Sequence, residues 1–170
     1  IKEGDLYIAL RGNKFDGHQF ITKAEEAGAK AALVMKSDEK SKLQQVISKE
    51  PLNTLGKISR EWRNKFKIPI IGITGSNGKT STKDLLFHIL SSKFKVHATK
   101  GNFNTNIGVP LTLLGISDKH DMSIIEMGAS LKGEIEKLCD ICKPTHGLIT
   151  NIAPAHLEGF GTVKNIAHEK

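Results

Sequence analysis

Two rhythms of apolar and polar residues run along this chain, a period of two in short stretches and a period near 3.6 in longer ones, and they outline its elements. Asp5-Leu6-Tyr7-Ile8-Ala9-Leu10 reads as a strand, after which Arg11-Gly12-Asn13 turns the chain. Phe20, Ile21, Ala24 and Ala27 then recur at three-to-four spacing, predicting a helix from His18 to Ala27 that stops at Gly28. Ala31-Ala32-Leu33-Val34-Met35 predicts a second strand. The lysine- and glutamine-rich stretch 38–49 predicts an exposed helix. Leu52, Leu55, Ile58, Trp62 and Phe66 mark one face of another helix, with Trp62 as a core anchor rather than a ligand platform.

Past Lys65-Phe66-Lys67-Ile68-Pro69 the rhythm restarts. Strands are predicted over 69–74, 94–98, 122–127 and 146–150, and helices over 79–92, near 107–115 and over 132–142. Such alternation predicts an α/β chain with a parallel sheet covered by helices on both faces. The expected division is a small domain over 1–67 and a second over 68–170, each long enough to bury a core. In parallel sheets ligands bind beyond the carboxyl ends of the strands. The unusual polar segments 75–80, 99–106, 126–130 and 150–160 all fall at such ends, so one composite site is expected.

Composition changes this picture little. At 38% hydrophobic and 25% charged the chain is ordinary for a globular protein. No apolar run approaches the ~20 residues needed to span a membrane and no signal-peptide pattern opens the chain, so cytoplasmic residence without membrane insertion is expected. The chain begins at Ile1 without an initiator Met and stops at Lys170 inside a helical pattern, as a piece of something longer would. The net charge of +7 comes from scattered lysines, and aromatics are only 5%, which argues against nucleic acid. Small anions such as nucleotides would gain from the same field. Cys139 and Cys142 form a lone C-x-x-C within a helical pattern; zinc would need a second pair, so two inert helix thiols are expected.

The chemistry is concentrated in four places. Gly72-Ile73-Thr74-Gly75-Ser76-Asn77-Gly78-Lys79-Thr80 follows an apolar run and leads into a helix, the layout of a phosphate-binding loop. Its glycines let backbone N–H groups close around phosphate, its lysine reaches the β/γ-phosphates, its hydroxyl meets Mg²⁺, and the helix N-terminus favours the anion. Ile73 stands where the strict G-x-x-x-x-G-K-[ST] pattern has its first glycine, pointing away from the commonest kinases and GTPases. Asn102, Asn104 and Asn106 suit either a tight loop or a set of amide contacts to a polar ligand. Glu126, just past Ile124-Ile125, is unusual unless it is paired or holds a metal. His156, in a Gly- and Pro-rich loop, reads as a surface residue or a ligand, and Lys170 unaided reads as a surface lysine. His88, His97, His120 and His146 lack such context, and Glu134 and Glu136 read as a solvated helix face.

Taken in order, Thr74 to Thr80, Gly101-Asn102-Phe103-Asn104, Glu126-Met127-Gly128-Ala129-Ser130 and Thr150-Asn151 to Ala155-His156-Leu157-Glu158-Gly159-Phe160-Gly161 closely resemble the Mur ligases, which build the peptidoglycan peptide. Gly4 to Gly12 with Phe15-Asp16-Gly17-His18 resembles their UDP-binding domain. The resemblance covers essentially the whole chain and is nearest to the branch that adds D-alanyl-D-alanine to UDP-N-acetylmuramoyl-tripeptide. It implies a UDP-sugar-binding domain over 1–67 and an incomplete, truncated P-loop ATPase domain over 68–170.

It also implies ATP and Mg²⁺ as cofactors, with Gly75, Ser76, Asn77, Gly78, Lys79, Thr80 and Ser81 on the nucleotide. Thr80, Glu126 and His156 would hold metal, and Asn104 and Asn106 would lie near the UDP-sugar. Lys79, Glu126, His156 and Lys170 would be catalytic, Lys170 as the lysine that many members carbamylate. The implied reaction is amide formation through an acyl phosphate. Asn104-Thr105-Asn106 departs from the branch's usual Asn-Asn-Glu, and the uridine motif that normally precedes Gly4-Asp5 is absent. The family's C-terminal domain, which closes over ATP, is also absent, so these residues alone are expected not to complete ligation. A diamino-acid-adding member of the family, or a nucleotide-binding module without ligase activity, is the alternative.

Overall fold

The computed structural model describes residues 1–12 and 15–170, so Asn13 of the expected turn lies outside the described residues. Contacts divide the chain into two units, Ile1–Leu55 and Gly56–Lys170.

In the first unit, β1 (Leu6–Ile8), β2 (Ala31–Val34) and β3 (Gln44–Ile47) form a parallel sheet in the order β1-β2-β3. A single 3-10 turn, Gly17–Phe20, runs into α1 (Ile21–Glu26). Its core is built largely from small residues, Ala9, Ala24, Ala29 and Ala32 around Ile21, Val34 and Leu43. Phe15-Asp16-Gly17-His18 has a structural explanation. Asp16 Oδ1 accepts from the His18 backbone N–H at 3.0 Å and lies 2.6 Å from His18 Nδ1, while His18 Nε2 accepts from the Met35 N–H. These bonds assign the proton to Nδ1, and the His18 hydrogen bonds hold the Asp16 carboxyl below its ordinary pKa.

The helix expected over 38–49 is instead a turn followed by β3. Gln45 closes the turn from both ends of its amide, accepting from Asp38 N–H and donating to Asp38 C=O. Gln44 to Ile47 then pair in register with Ala31 to Val34. An edge strand with one solvated side has no apolar alternation to announce it.

The second unit begins within α2 (Pro51–Asn64), earlier than the boundary expected at 67/68, because the end of that helix packs into the second core. Trp62 Nε1 donates to Ile116 C=O, and its ring meets Phe66 edge-on. There follow β4 (Ile70–Thr74), α3 (Lys79–Ser91), β5 (Val96–Ala98), α4 (Gly108–Leu114), β6 (Met122–Glu126), α5 (Glu134–Cys142), β7 (His146–Ile149), α6 (Leu157–Phe160) and α7 (Val163–Glu169). The strands form the parallel sheet that the alternation predicts, in the order β5-β6-β4-β7.

Ile70, Ile125 and Met127 face a core shared with α4 and α5, through Val109, Leu113, Ile135, Leu138 and Cys142. Burying each of the large side chains contributes about 1.5–3 kcal/mol before entropy is counted. Arg63, 8% exposed, donates to the carbonyls of Phe66, Cys142 and Lys143. It thereby satisfies backbone acceptors at the C-terminal ends of both α2 and α5, where a cation is favoured. Cys142 lies wholly inside, and burial pushes its thiol up to about 12, consistent with an inert side chain. Among the described residues no helix is long and apolar enough to cross a membrane.

Candidate functional site at the carboxyl ends of the sheet

The phosphate-binding loop leaves the sheet centre at Thr74 and is held by the segment beyond its neighbour β7. Ser76 N–H donates to Asn151 C=O, Asn77 N–H donates to Asn151 Oδ1, and Thr150 Oγ1 donates to Asn77 C=O at 2.6 Å. Ser76 Oγ donates to Ala153 C=O at 2.8 Å, and Ala153 N–H lies 2.9 Å from the same hydroxyl. Gly75 has φ +140°, and a Cβ there would run into Thr150 Oγ1. Gly78 (φ +77°) turns the chain into α3, leaving the first-turn N–H groups of a thirteen-residue helix without intrahelical acceptors. Lys79 Nζ lies over the loop, 2.7 Å from Gly75 C=O and 3.2 Å from Ser76 C=O. Thr80 and Ser81 are exposed on the same first turn.

Glu126 ends β6, the strand beside β4, and is 1% exposed. Its Oε1 accepts from Asn104 Nδ2 at 2.7 Å, whereas Oε2 is buried without a hydrogen-bond partner. Thr74 Oγ1, at the start of the loop, is likewise buried and unpartnered. Unsatisfied polar atoms at the ends of two adjacent strands suit a missing cationic partner, since each such atom costs about 1–3 kcal/mol. Asn104, implied by the resemblance to lie near substrate, thus also touches Glu126. Its backbone carbonyl also accepts from Gly128 N–H. Asn106 is exposed just ahead of α4.

His156 is exposed and sits in the left-handed region, φ 49° and ψ 41°, at the start of α6. It lines an open cleft of about 760 Å³ with Ser130, Leu131, Pro154 and Glu158. Lys170 is half-buried, with Nζ 5.7 Å from the centre of the Phe160 ring. Burial first, then the Lys79 charge, lowers its pKa, against the opposing pull of Glu169 and Glu134. The unaided reading of Lys170 as a surface lysine is thus corrected. The Glu169 carboxylate accepts from the Gly133 and Ile135 N–H groups at the start of α5, which anchors the end of α7. Glu134 is no solvated face either, since it accepts from Ser130 and Leu131 N–H. Among the described residues no three His, Cys, Asp or Glu side chains gather closely enough to hold a metal by themselves.

The sequence reading places Thr99, Thr150 and Asn151 in strand-end segments but not their contacts, and it misses Lys83. Asn151 and Thr150 shape the loop, Thr99 Oγ1 accepts from Glu126 N–H at 2.9 Å, and Lys83 donates to Thr99 C=O at 3.0 Å. The partners are far apart in sequence, and no local spacing signals them. What the arrangement can do is bind a polyphosphate at a helix N-terminus, beside one lysine and a carboxylate with a free oxygen.

Residues 73–170 match the Mur ligase middle domain, and residues 1–61 match the Mur ligase family, catalytic domain. A UDP-N-acetylmuramoyl-tripeptide–D-alanyl-D-alanine ligase from Synechocystis sp. is 46% identical over 98% of this chain and 37% of its own length. The ligase of that name from Escherichia coli is 38% identical over 98% of this chain and 37% of its own. The chain therefore spans little more than a third of the curated relatives it matches. The crystal structure of MurF from Acinetobacter baumannii superposes with a TM-score of 0.95 at 34% identity, covering 99% of this chain and 37% of that one. MurF ligase from Thermotoga maritima in complex with ADP gives 0.91 at 37% identity, covering 99% and 39%. With both of its parts matched and its phosphate loop and strand ends arranged as described, this chain belongs to the Mur ligase family.

Proposed function

We propose that this chain is the nucleotide-binding part of an ATP-dependent ligase that joins D-alanyl-D-alanine to UDP-N-acetylmuramoyl-tripeptide in peptidoglycan precursor synthesis. The observation that carries the reading is the glycine loop at 75–80, set beside a buried carboxylate with one unpartnered oxygen, in a chain 37–46% identical to ligases of that name. Residues 1–67 take the UDP-sugar.

In this reading the first-turn N–H groups of α3 and Lys79 Nζ bind the β- and γ-phosphates, the ammonium exchanging carbonyl oxygens for phosphate oxygens. Glu126, His156 and Thr80 would hold the two Mg²⁺ ions, and the orphaned Glu126 Oε2 is the feature that supports a hard cation there. Bound there, the ion supplies neutralisation of phosphate charge. The tripeptide carboxylate attacks the γ-phosphorus as the bond to ADP breaks. The dipeptide amine then attacks the acyl carbon, loses a proton and expels phosphate. Lys79 stabilises the oxygens that gain charge in the first step. The lowered pKa of Lys170 favours the neutral amine that carbamylation requires, which would convert it from cation to anion.

The test is the protein extended past Lys170, assayed with D-alanyl-D-alanine, a diamino acid and glutamate in turn. ADP release is expected with D-alanyl-D-alanine alone, and Lys79→Ala is expected to lower turnover roughly a hundredfold or more while the protein stays folded. Use of a diamino acid in place of the dipeptide would move the chain to another branch, and normal turnover in Lys79→Ala would remove the site. Residues 1–170 alone are expected to bind ADP without releasing it in response to D-alanyl-D-alanine.

A further inference from the structure

α3 buries one side chain deeply, and it is a charged one. Lys83 is 5% exposed, one turn beyond Lys79. Its ammonium donates to Thr99 C=O at 3.0 Å and meets the carboxylate of Asp84 at 2.8 Å, but Asp84 is itself 66% exposed. An ammonium taken out of water this way needs its hydrogen bonds, and a methionine could fill the same space without them. The bond it makes leads to the site. Thr99 is 2% exposed, and its hydroxyl accepts from the backbone N–H of Glu126. Glu126 and Ile124 lie on the side of β6 opposite the Ile125–Met127 core, and α3 packs against β6.

We propose that Lys83 is a positioning residue. It ties the helix that carries the phosphate loop to the end of β5, and through Thr99 it fixes the height of the Glu126 backbone. Asn104 fixes the carboxylate through Oε1, leaving Oε2 without a partner in the protein. The inference rests on the proposed role of Glu126 for its consequence, but not for its geometry.

The experiment uses this chain, its Lys83→Met and Thr99→Val variants, and Glu126→Gln as a control, with Mn²⁺ and ADP as probes. Amide exchange at Glu126 is expected to quicken about tenfold in Lys83→Met and in Thr99→Val, while amides of β7 keep their protection. Mn²⁺ affinity in the presence of ADP is expected to fall about tenfold in both, with the affinity for metal-free ADP unchanged. Thr99→Val keeps the Lys83 bond and the packing, so it answers for the network should Lys83→Met fail to fold. Unchanged exchange at Glu126 in the folded variants would overturn the inference. Faster exchange with Mn²⁺ affinity unmoved in both variants would overturn the coupling to the ligand. If Glu126→Gln also left Mn²⁺ affinity untouched, the fault would lie in the assignment of Glu126 to metal and not in the positioning network.

Discussion

Gly75 shows how narrow the tolerances are at single residues. Two independent constraints meet there, a backbone at φ +140° and a neighbouring hydroxyl, Thr150 Oγ1, in the place a Cβ would occupy. Gly75→Ala is expected to destabilise the second unit by about 2–4 kcal/mol and to abolish ADP binding. Urea unfolding checks the first effect, and a wild-type midpoint in the variant would refute it. The same hydroxyl donates to Asn77 C=O, so the side chain that excludes a larger residue also sets the loop. The sequence announces the loop through its glycines and places Thr150-Asn151 in a motif, but it does not show that the two meet, because glycine spacing is local and their bonds are not. His156 is the converse case. It adopts φ 49° without being glycine, as Lys143 does at the end of α5, at a cost of about 1–2 kcal/mol.

Among the elements, the four-residue α6 is too short to show a stripe, whereas β4 to β7 and α3 to α5 were legible from the alternation of short strand and longer helix patterns. Strand β3 was not, since Gln44 and Gln45 lie on an exposed edge and no apolar face distinguishes them from a polar helix. The join between β5 and α4 shows what else lies outside sequence reading. His97 Nε2 lies 2.7 Å from Thr112 C=O, and its ring is 4.9 Å from that of His120. Burial first, with repulsion from His120 and Lys100, holds His97 below its ordinary value of 6.5, against the Thr112 hydrogen bond. The unfolded chain therefore takes up this proton at a higher pH than the folded one. Stability from this group is complete above 6.5 and is lost as pH falls through 6.5 toward the lowered folded value. The melting temperature is expected to drop between about pH 7.5 and about pH 5, and by less in His97→Gln, whose amide can still donate to Thr112. An equal drop in both proteins would clear His97 of the effect.

For the whole molecule, a net charge of +7 on scattered lysines supports capture of an anion over distance rather than a nucleic-acid surface. Raising ionic strength from about 50 to about 500 mM is expected to weaken ADP binding by roughly threefold to tenfold, and by less in Lys79→Ala. Affinity indifferent to salt would mean that the field plays no part in capture. The sheet order carries one more consequence. Strand β4 pairs with β6 and β7, and β5 reaches the sheet only through β6, although β5 precedes β6 along the chain. Residues 122–126 fill the gap that chain order alone would leave between β4 and β5. The carboxylate of Glu126 arrives on the strand that closes that gap, so any partly folded form with an open sheet also lacks the acid beside the phosphate loop. The strand that joins β5 to the rest of the sheet is thus the same one that supplies the acid.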